Sequence, residues 1–290
     1  MWVNGVNLNV KKTGSGPPIV ALHGFAGNMS TWAEFSREAQ KEYTVITIDL
    51  LGHGDSDSPI AYERYRLEHT IADITAVLEK LGVSRACWLG YSMGGRIALA
   101  YATSNPSICQ CLVLEGASPG LIAPDARAQR KRSDEVLASL IVKEGVEAFV
   151  NYWEQRPLFA TQRSLPRSVQ DRIRTQRLRN NSIGLANTLR AVNPGVQAPQ
   201  HKLLRRLKIP VLCVAGQYDH KFTRIAREMC SRLPYGELAI IPGAGHAPHL
   251  EKPREFNIRV ITFLEESCKS VTGSEPPHPK RVTVSGHQRV

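Results

Sequence analysis

The sequence predicts an α/β fold: a mostly parallel sheet with flanking helices and one inserted block of helices. Two observations predict it. Short apolar runs alternate with helical stretches from residue 19 to residue 115, and again from residue 210 to residue 266. That is the pattern of parallel strands joined by crossover helices. Between the two halves, residues 121–208 hold no strand-like run. A chain of 290 residues, 42% apolar and 22% charged, suits one interrupted core domain at 1–120 and 209–267 with a helical cap insertion at 121–208.

The elements follow in order. Residues 2–10 alternate around Asn4-Gly5, a hairpin signal. Residues 14–18, Gly-Ser-Gly-Pro-Pro, form a turn, 19–22 a short buried strand, and His23-Gly24-Phe25-Ala26-Gly27 a glycine-rich loop. Ser30 or Thr31 is expected to cap a helix reaching about Gln40. A strand at 45–50 leads into the loop Gly52-His53-Gly54-Asp55-Ser56, and residues 69–81 have helical periodicity ending at Gly82. Strand 86–90, helix 95–103 and strand 111–115 complete the first half. The insertion reads as basic amphipathic helices broken at Gly145, Pro157, Pro166 and Gly184. The second half reads as strand 211–216, helix 222–233, strand 238–241 and helix 253–266. Residues 268–290 mix Pro, Ser, Gly, His and basic residues and are expected to be a disordered basic tail.

The formal charge of +11 is concentrated rather than spread: residues 121–210 carry 17 Lys and Arg against 7 acidic residues. A localised basic field suits an anionic partner, either a small polyanion or a phosphate backbone. No zinc-finger, RNA-recognition or basic-zipper pattern supports nucleic acid. The six cysteines lack CxxC pairs and zinc spacing, so reduced, mostly buried thiols in a cytoplasmic protein are expected. No apolar run approaches the roughly 20 residues of a membrane span, and the N-terminus lacks the pattern of a secretory signal.

Gly90-Tyr91-Ser92-Met93-Gly94 places a serine between a predicted strand and a predicted helix. On such a sharp turn the hydroxyl stands above the sheet at a helix N-terminus, where developing negative charge is favoured. The serine needs a base, and the base an orienting acid. Asp219 and His246 each follow a later strand, in the order serine, acid, histidine. The plain alternatives are a turn residue or helix cap for Asp219 and a structural loop histidine for His246. His53, His69, His220 and His249 are weaker rivals, and no pair has H-E-x-x-H spacing, so no metal is expected. Backbone N–H groups of Met93 and Phe25 are the expected oxyanion-hole donors.

These features resemble the α/β-hydrolase fold over residues 1 to about 267. Finer motifs narrow the resemblance. They are Gly95-Arg96 after the serine, Pro119-Gly120-Leu121 with Arg127 and Arg130, and Glu147-Ala148-Phe149-Val150-Asn151-Tyr152-Trp153. Arg177-Leu178-Arg179-Asn180-Asn181, Gly184-Leu185-Ala186-Asn187 and Asp219-His220-Lys221-Phe222 complete them. Together they resemble the menaquinone-pathway lyase family, the 2-succinyl-6-hydroxy-2,4-cyclohexadiene-1-carboxylate synthases. The resemblance implies a cofactor-free elimination of pyruvate from 2-succinyl-5-enolpyruvyl-6-hydroxy-3-cyclohexene-1-carboxylate, on the path to menaquinone or phylloquinone. It implies Ser92, Asp219 and His246 as triad and Arg96, Arg130 and Arg179 as carboxylate ligands. Tyr91 and Trp153 would line the pocket, with Arg127 and Arg177 the nearest rival arginines. A carboxylesterase or C–C bond hydrolase working through an acyl-enzyme, and a ligand sensor that keeps the pocket, are the alternative readings.

Overall fold

The structure, a computed structural model, describes residues 1–269. Trp2–Val3 (β1) and Val6–Asn7 (β2) form a two-stranded hairpin. Asn4 and Gly5 both take positive φ, 46° and 81°, as a two-residue turn of this hand requires.

The main sheet has seven strands in the order β3-β5-β4-β6-β7-β8-β9. They are Val10–Thr13 (β3), Pro18–Leu22 (β4), Thr44–Ile48 (β5), Ala86–Tyr91 (β6), Cys109–Glu115 (β7), Val211–Gly216 (β8) and Gly236–Ile241 (β9). Only β3 runs antiparallel to its neighbour. It was not expected from the sequence, because its four residues Val-Lys-Lys-Thr give too short and polar a run. Two exposed lysines suit a sheet edge, where charge discourages further pairing. The inner strands β5, β6 and β8 are buried throughout, which explains their continuous apolar runs.

Helices Leu67–Lys80 (α2), Met93–Ser104 (α3) and His220–Cys230 (α7) share one apolar core with one sheet face. Ala33–Ala39 (α1) and Pro253–Lys269 (α9) share the other. Between β7 and β8 lie Pro124–Glu154 (α4), Arg167–Leu178 (α5) and Ser182–Ala191 (α6). This block has its own small core of Ala138, Ile141, Phe149, Val150, Leu185, Ala186 and Leu189, joined by Ala26 from the loop after β4. A one-turn helix, Pro248–Glu251 (α8), precedes α9.

Three local expectations are corrected. Neither Ser30 nor Thr31 caps the first helix. Asn28 instead caps a 3₁₀ turn at Met29–Trp32 that leads into α1, its Oδ1 accepting the Ser30 N–H at 2.9 Å, and α1 itself has no side-chain cap. Gly184 does not break a helix but lies inside α6, where a Cβ would come 2.3 Å from the Gly52 carbonyl oxygen. Its glycine is set by close packing rather than by a turn. Gly145, with φ 82° and ψ 175°, does interrupt α4. Finally, α9 runs through Cys268 and Lys269, so the helix extends past the expected end of the core. The remainder of the expected tail, 270–290, lies outside the described residues.

Two buried histidines brace the loops beneath the site. His23 Nδ1 donates to the Gly24 carbonyl at 2.8 Å and Nε2 accepts the Leu50 N–H at 3.0 Å. His53 packs 5.0 Å from the His23 ring, and its Nε2 meets no partner among the described residues. Burial drives both pKa values down, that of His53 to about 3. The unfolded chain therefore binds protons below about pH 6.5 that the fold refuses, so stability falls as pH drops from there toward 3. Thermal melts of the parent should shift downward by several degrees between pH 7 and pH 5. His53→Gln should flatten that slope, and an unaltered slope would contradict the assignment.

Candidate active site

The nucleophile position is built by backbone geometry. Ser92, between β6 and α3, holds φ 51° and ψ −105°, a conformation that costs roughly 1–3 kcal/mol for a non-glycine residue. The flanking glycines make the turn passable. A Cβ at Gly90 would lie 2.6 Å from the Gly94 carbonyl oxygen, and one at Gly94 would lie 2.3 Å from the Leu22 carbonyl oxygen. One at Gly95 would lie 2.6 Å from the Ala117 side chain. The Ser92 N–H is held by the Glu115 carbonyl at 2.8 Å, and its side chain caps nothing. Its hydroxyl oxygen is instead 3.2 Å from His246 Nε2.

His246 Nδ1 donates to Asp219 Oδ2 at 2.6 Å, while Asp219 Oδ1 accepts the Phe222 N–H at 3.1 Å. The carboxylate is thus both helix cap and orienter of the imidazole. Cap fixation restricts its rotation and sets which oxygen faces the ring. The histidine loop has a clamp that sequence reasoning missed. Glu251 accepts the N–H groups of Gly245 at 2.6 Å and Ala247 at 3.1 Å, on either side of His246. Gly116 leaves room for the ring, because a Cβ there would come 2.9 Å from His246 Cε1.

Ser92 and His246 open into a cavity of about 620 Å³ beneath the helical block. Phe25 and Met93, the residues expected to supply oxyanion donors, line it, as do Tyr91 and Trp153. The turn carrying Phe25 is closed by the Gly27 N–H on the Gly24 carbonyl at 3.0 Å, with Ala26 at φ 61°. Phe25 packs edge-on against Trp153 at 5.6 Å.

The cavity is strongly unbalanced in charge. Among the described residues Arg96, Arg130, Arg156, Arg177 and Lys221 line it, against one carboxylate, Asp134. Arg96 Nη1 donates to the Val192 carbonyl at 2.8 Å and to Gln197 Oε1 at 2.6 Å. Those bonds leave its other nitrogens for a ligand. Burial pulls the Arg96 guanidinium below its ordinary value, Arg130 adds to the effect, and Asp134 opposes it. Arg130 Nε donates to Asp134 Oδ2 at 2.6 Å. Burial pushes the Asp134 carboxyl up, while Arg130 and Arg96 draw it back.

The structure separates the competing arginines. Arg179 turns away from the cavity to an exposed pair with Asp55 at 3.1 Å. Arg177 is buried, donates to Gln162 Oε1 at 3.0 Å, pairs with Glu154 Oε1 at 3.3 Å and lies 4.9 Å above the Phe159 ring, yet still lines the cavity. Arg127 is spent on the Gly195 and Val196 carbonyls, both at 3.1 Å. Arg177→Ala should accordingly lower kcat/KM by about 10- to 100-fold, as for loss of a charge-assisted contact, and Arg179→Ala should change it less than about threefold. The opposite ranking in a steady-state comparison would refute this assignment. Asp134 lies one turn beyond Arg130, so an i, i+4 pair was readable in the sequence. No comparable local signal marked Gln197 or Arg156.

The alpha/beta hydrolase fold family matches residues 17–253. A Bacillus subtilis (strain 168) protein provisionally named 2-succinyl-6-hydroxy-2,4-cyclohexadiene-1-carboxylate synthase is 40% identical, over 85% of this chain and 89% of its own. A Serratia proteamaculans (strain 568) protein of that name is 32% identical, over 86% of this chain and 93% of its own. The solved structure of MenH from S. aureus superposes with a TM-score of 0.86 at 33% identity, covering 90% of this chain and 98% of that one.

Proposed function

Since the chain belongs to the 2-succinyl-6-hydroxy-2,4-cyclohexadiene-1-carboxylate synthases of the alpha/beta hydrolase fold, we propose that Ser92 is the base with which it expels pyruvate. The protein is a lyase of menaquinone biosynthesis. It converts 2-succinyl-5-enolpyruvyl-6-hydroxy-3-cyclohexene-1-carboxylate to the ring diene of the family name. The observation that carries the residue roles is the cation-lined cavity over Ser92, with five basic side chains and one acid.

The substrate brings three carboxylates. Arginine binds carboxylates through a planar fork, and in a site shielded from water such contacts orient the ligand strongly. Arg96, Arg130 and Arg177 take this role. His246, aligned by Asp219, draws the proton from Ser92 as the serine oxygen removes a proton from the carbon beside the succinyl ketone. The charge passing to the ketone oxygen is met by the N–H groups of Phe25 and Met93. Each such donor is typically worth about 3 kcal/mol in the transition state. The released electron pair forms a ring double bond beside the succinyl-bearing carbon, the existing ring double bond shifts one bond along, and the enolpyruvyl oxygen is expelled.

The triad geometry alone serves acyl transfer equally well; the surrounding cations favour elimination from a polycarboxylate. Among the described residues no helix is long and apolar enough to cross a membrane. The six cysteines are all free thiols, which supports a reducing, cytoplasmic setting. Incubation with the enolpyruvyl substrate should release pyruvate in step with diene absorbance. Absence of pyruvate at micromolar protein would overturn the reading. Rapid hydrolysis of simple esters without elimination would replace it with the esterase alternative.

A further inference from the structure

A second hydroxyl–imidazole–carboxyl array opens into the same cavity as the first. Thr31 Oγ1 is 2.9 Å from His249 Nε2, and His249 Nδ1 is 2.9 Å from Glu115 Oε1. Thr31 lines the cavity that Ser92 lines. His249 and Glu115 lie behind it, 3% and 0% exposed. The Tyr91 ring stands between the two arrays, 4.7 Å from His249 and 5.4 Å from His246.

We propose that Thr31, His249 and Glu115 form a second proton relay, which hands a proton to the departing enolpyruvyl oxygen. The proposal rests on the lyase reading. Elimination removes a proton at carbon and is helped by a proton supplied where the C–O bond breaks; with Ser92 and His246 engaged in the first task, a separate donor can serve the second. Two features suit the second array to the other task. The array ends in a hydroxyl-bearing residue, Thr31, that lines the cavity, which a purely structural Glu–His tie does not require. In addition, Glu115 Oε2 meets no hydrogen-bond partner among the described residues, although Oε1 accepts both the His249 N–H and its Nδ1. A bare anionic oxygen at that depth is costly. The contact from Nδ1 to Oε1 engages one ring nitrogen and leaves Nε2 for Thr31.

The step balances. The Ser92 oxygen takes the carbon-bound proton as its own proton passes to His246. The C–H electron pair becomes a ring double bond beside the succinyl-bearing carbon, the existing ring double bond shifts one bond toward the carbon that carries the leaving group, and the C–O pair leaves with the enolpyruvyl oxygen. That oxygen takes the Thr31 hydroxyl proton, and Thr31 is refilled from His249 Nε2. Enolpyruvate departs and tautomerises to pyruvate in water. His246 ends one proton richer and the His249–Glu115 pair one poorer, so exchange with solvent restores both without any co-reactant.

Thr31→Val removes the hydroxyl at nearly constant volume, and Thr31→Ser retains it. Pyruvate release should show kcat about 100-fold lower in Thr31→Val, the usual scale for a lost general acid. KM should stay within about threefold. Thr31→Ser should keep kcat within about threefold of the parent. Thr31→Ala provides the same truncation should the valine variant melt early. An unchanged kcat in the truncations, a loss confined to KM, or a serine variant as slow as the valine variant would each overturn the relay. A parent protein that releases no pyruvate would overturn the lyase reading as well, which separates the two failures.

Discussion

Ser92→Ala is expected to lower kcat for pyruvate elimination by at least about 1,000-fold, while substrate affinity stays within about threefold. The magnitude follows from the loss of a positioned base, worth about 100- to 10,000-fold by itself, in a unit whose members act together. The unchanged affinity follows from the cavity. Arg96, Arg130 and Arg177 are held by Gln197 and Val192, by Asp134 and by Gln162, none of which depends on the serine hydroxyl. The change should not unfold the protein, since the strained turn at φ 51° loses only a side-chain oxygen. Titration calorimetry with substrate reads the affinity, and the pyruvate assay reads kcat. Persistent turnover would mean that another group takes the proton.

Arg96→Ala is expected to lower kcat/KM by about 100- to 1,000-fold, the cost of truncating a buried charge-assisted contact of roughly 3–4 kcal/mol. Two losses add. A substrate carboxylate loses its fork, and the Val192 carbonyl and Gln197 Oε1 lose the donor that ties the 192–197 segment to α3. Arg96→Lys should restore only part of the rate, because an ammonium cannot span both the protein oxygens and a carboxylate in one plane. Equal rates for alanine variant and parent would return Arg96 to a structural role.

Most of the architecture was legible in the sequence for identifiable reasons. Strands buried on both faces write continuous apolar runs, as in Ile19–Leu22 within β4 and in β8. The Ser92 turn demands glycine where backbone meets backbone, so Gly90, Gly94 and Gly95 were visible as a motif. Asp219 and His246 were legible because each sits just past the end of a strand. What escaped reading depends on partners distant in sequence. Asn28, rather than Ser30 or Thr31, caps the first turn, and the same Oδ1 receives Gln176 Nε2 from α5 at 2.9 Å.

That contact belongs to the same problem as the arginine register. Arg177 and Arg179 are two residues apart, about 200° around a helix, so only one can face the cavity. Which one does so is decided by how α5 docks, through Gln176 to Asn28 and Asn180 to the Ala26 carbonyl at 2.9 Å. Neither partner lies in the helix whose face they set, so no local pattern announces the answer. Glu251 and Gln197 escaped likewise, because each acts through backbone groups or through a guanidinium brought near only by the fold.

Under the proposed mechanism the Ser92 oxygen acts as a base toward carbon and not as an acyl acceptor. Intact-protein mass spectrometry during turnover, run alongside product analysis in water enriched in oxygen-18, tests it most directly. The expected result is an enzyme of unmodified mass, diene and pyruvate in equal amounts, and no solvent oxygen in any newly formed carboxylate. A covalent adduct on Ser92, or a product carboxylate carrying oxygen-18, would contradict it.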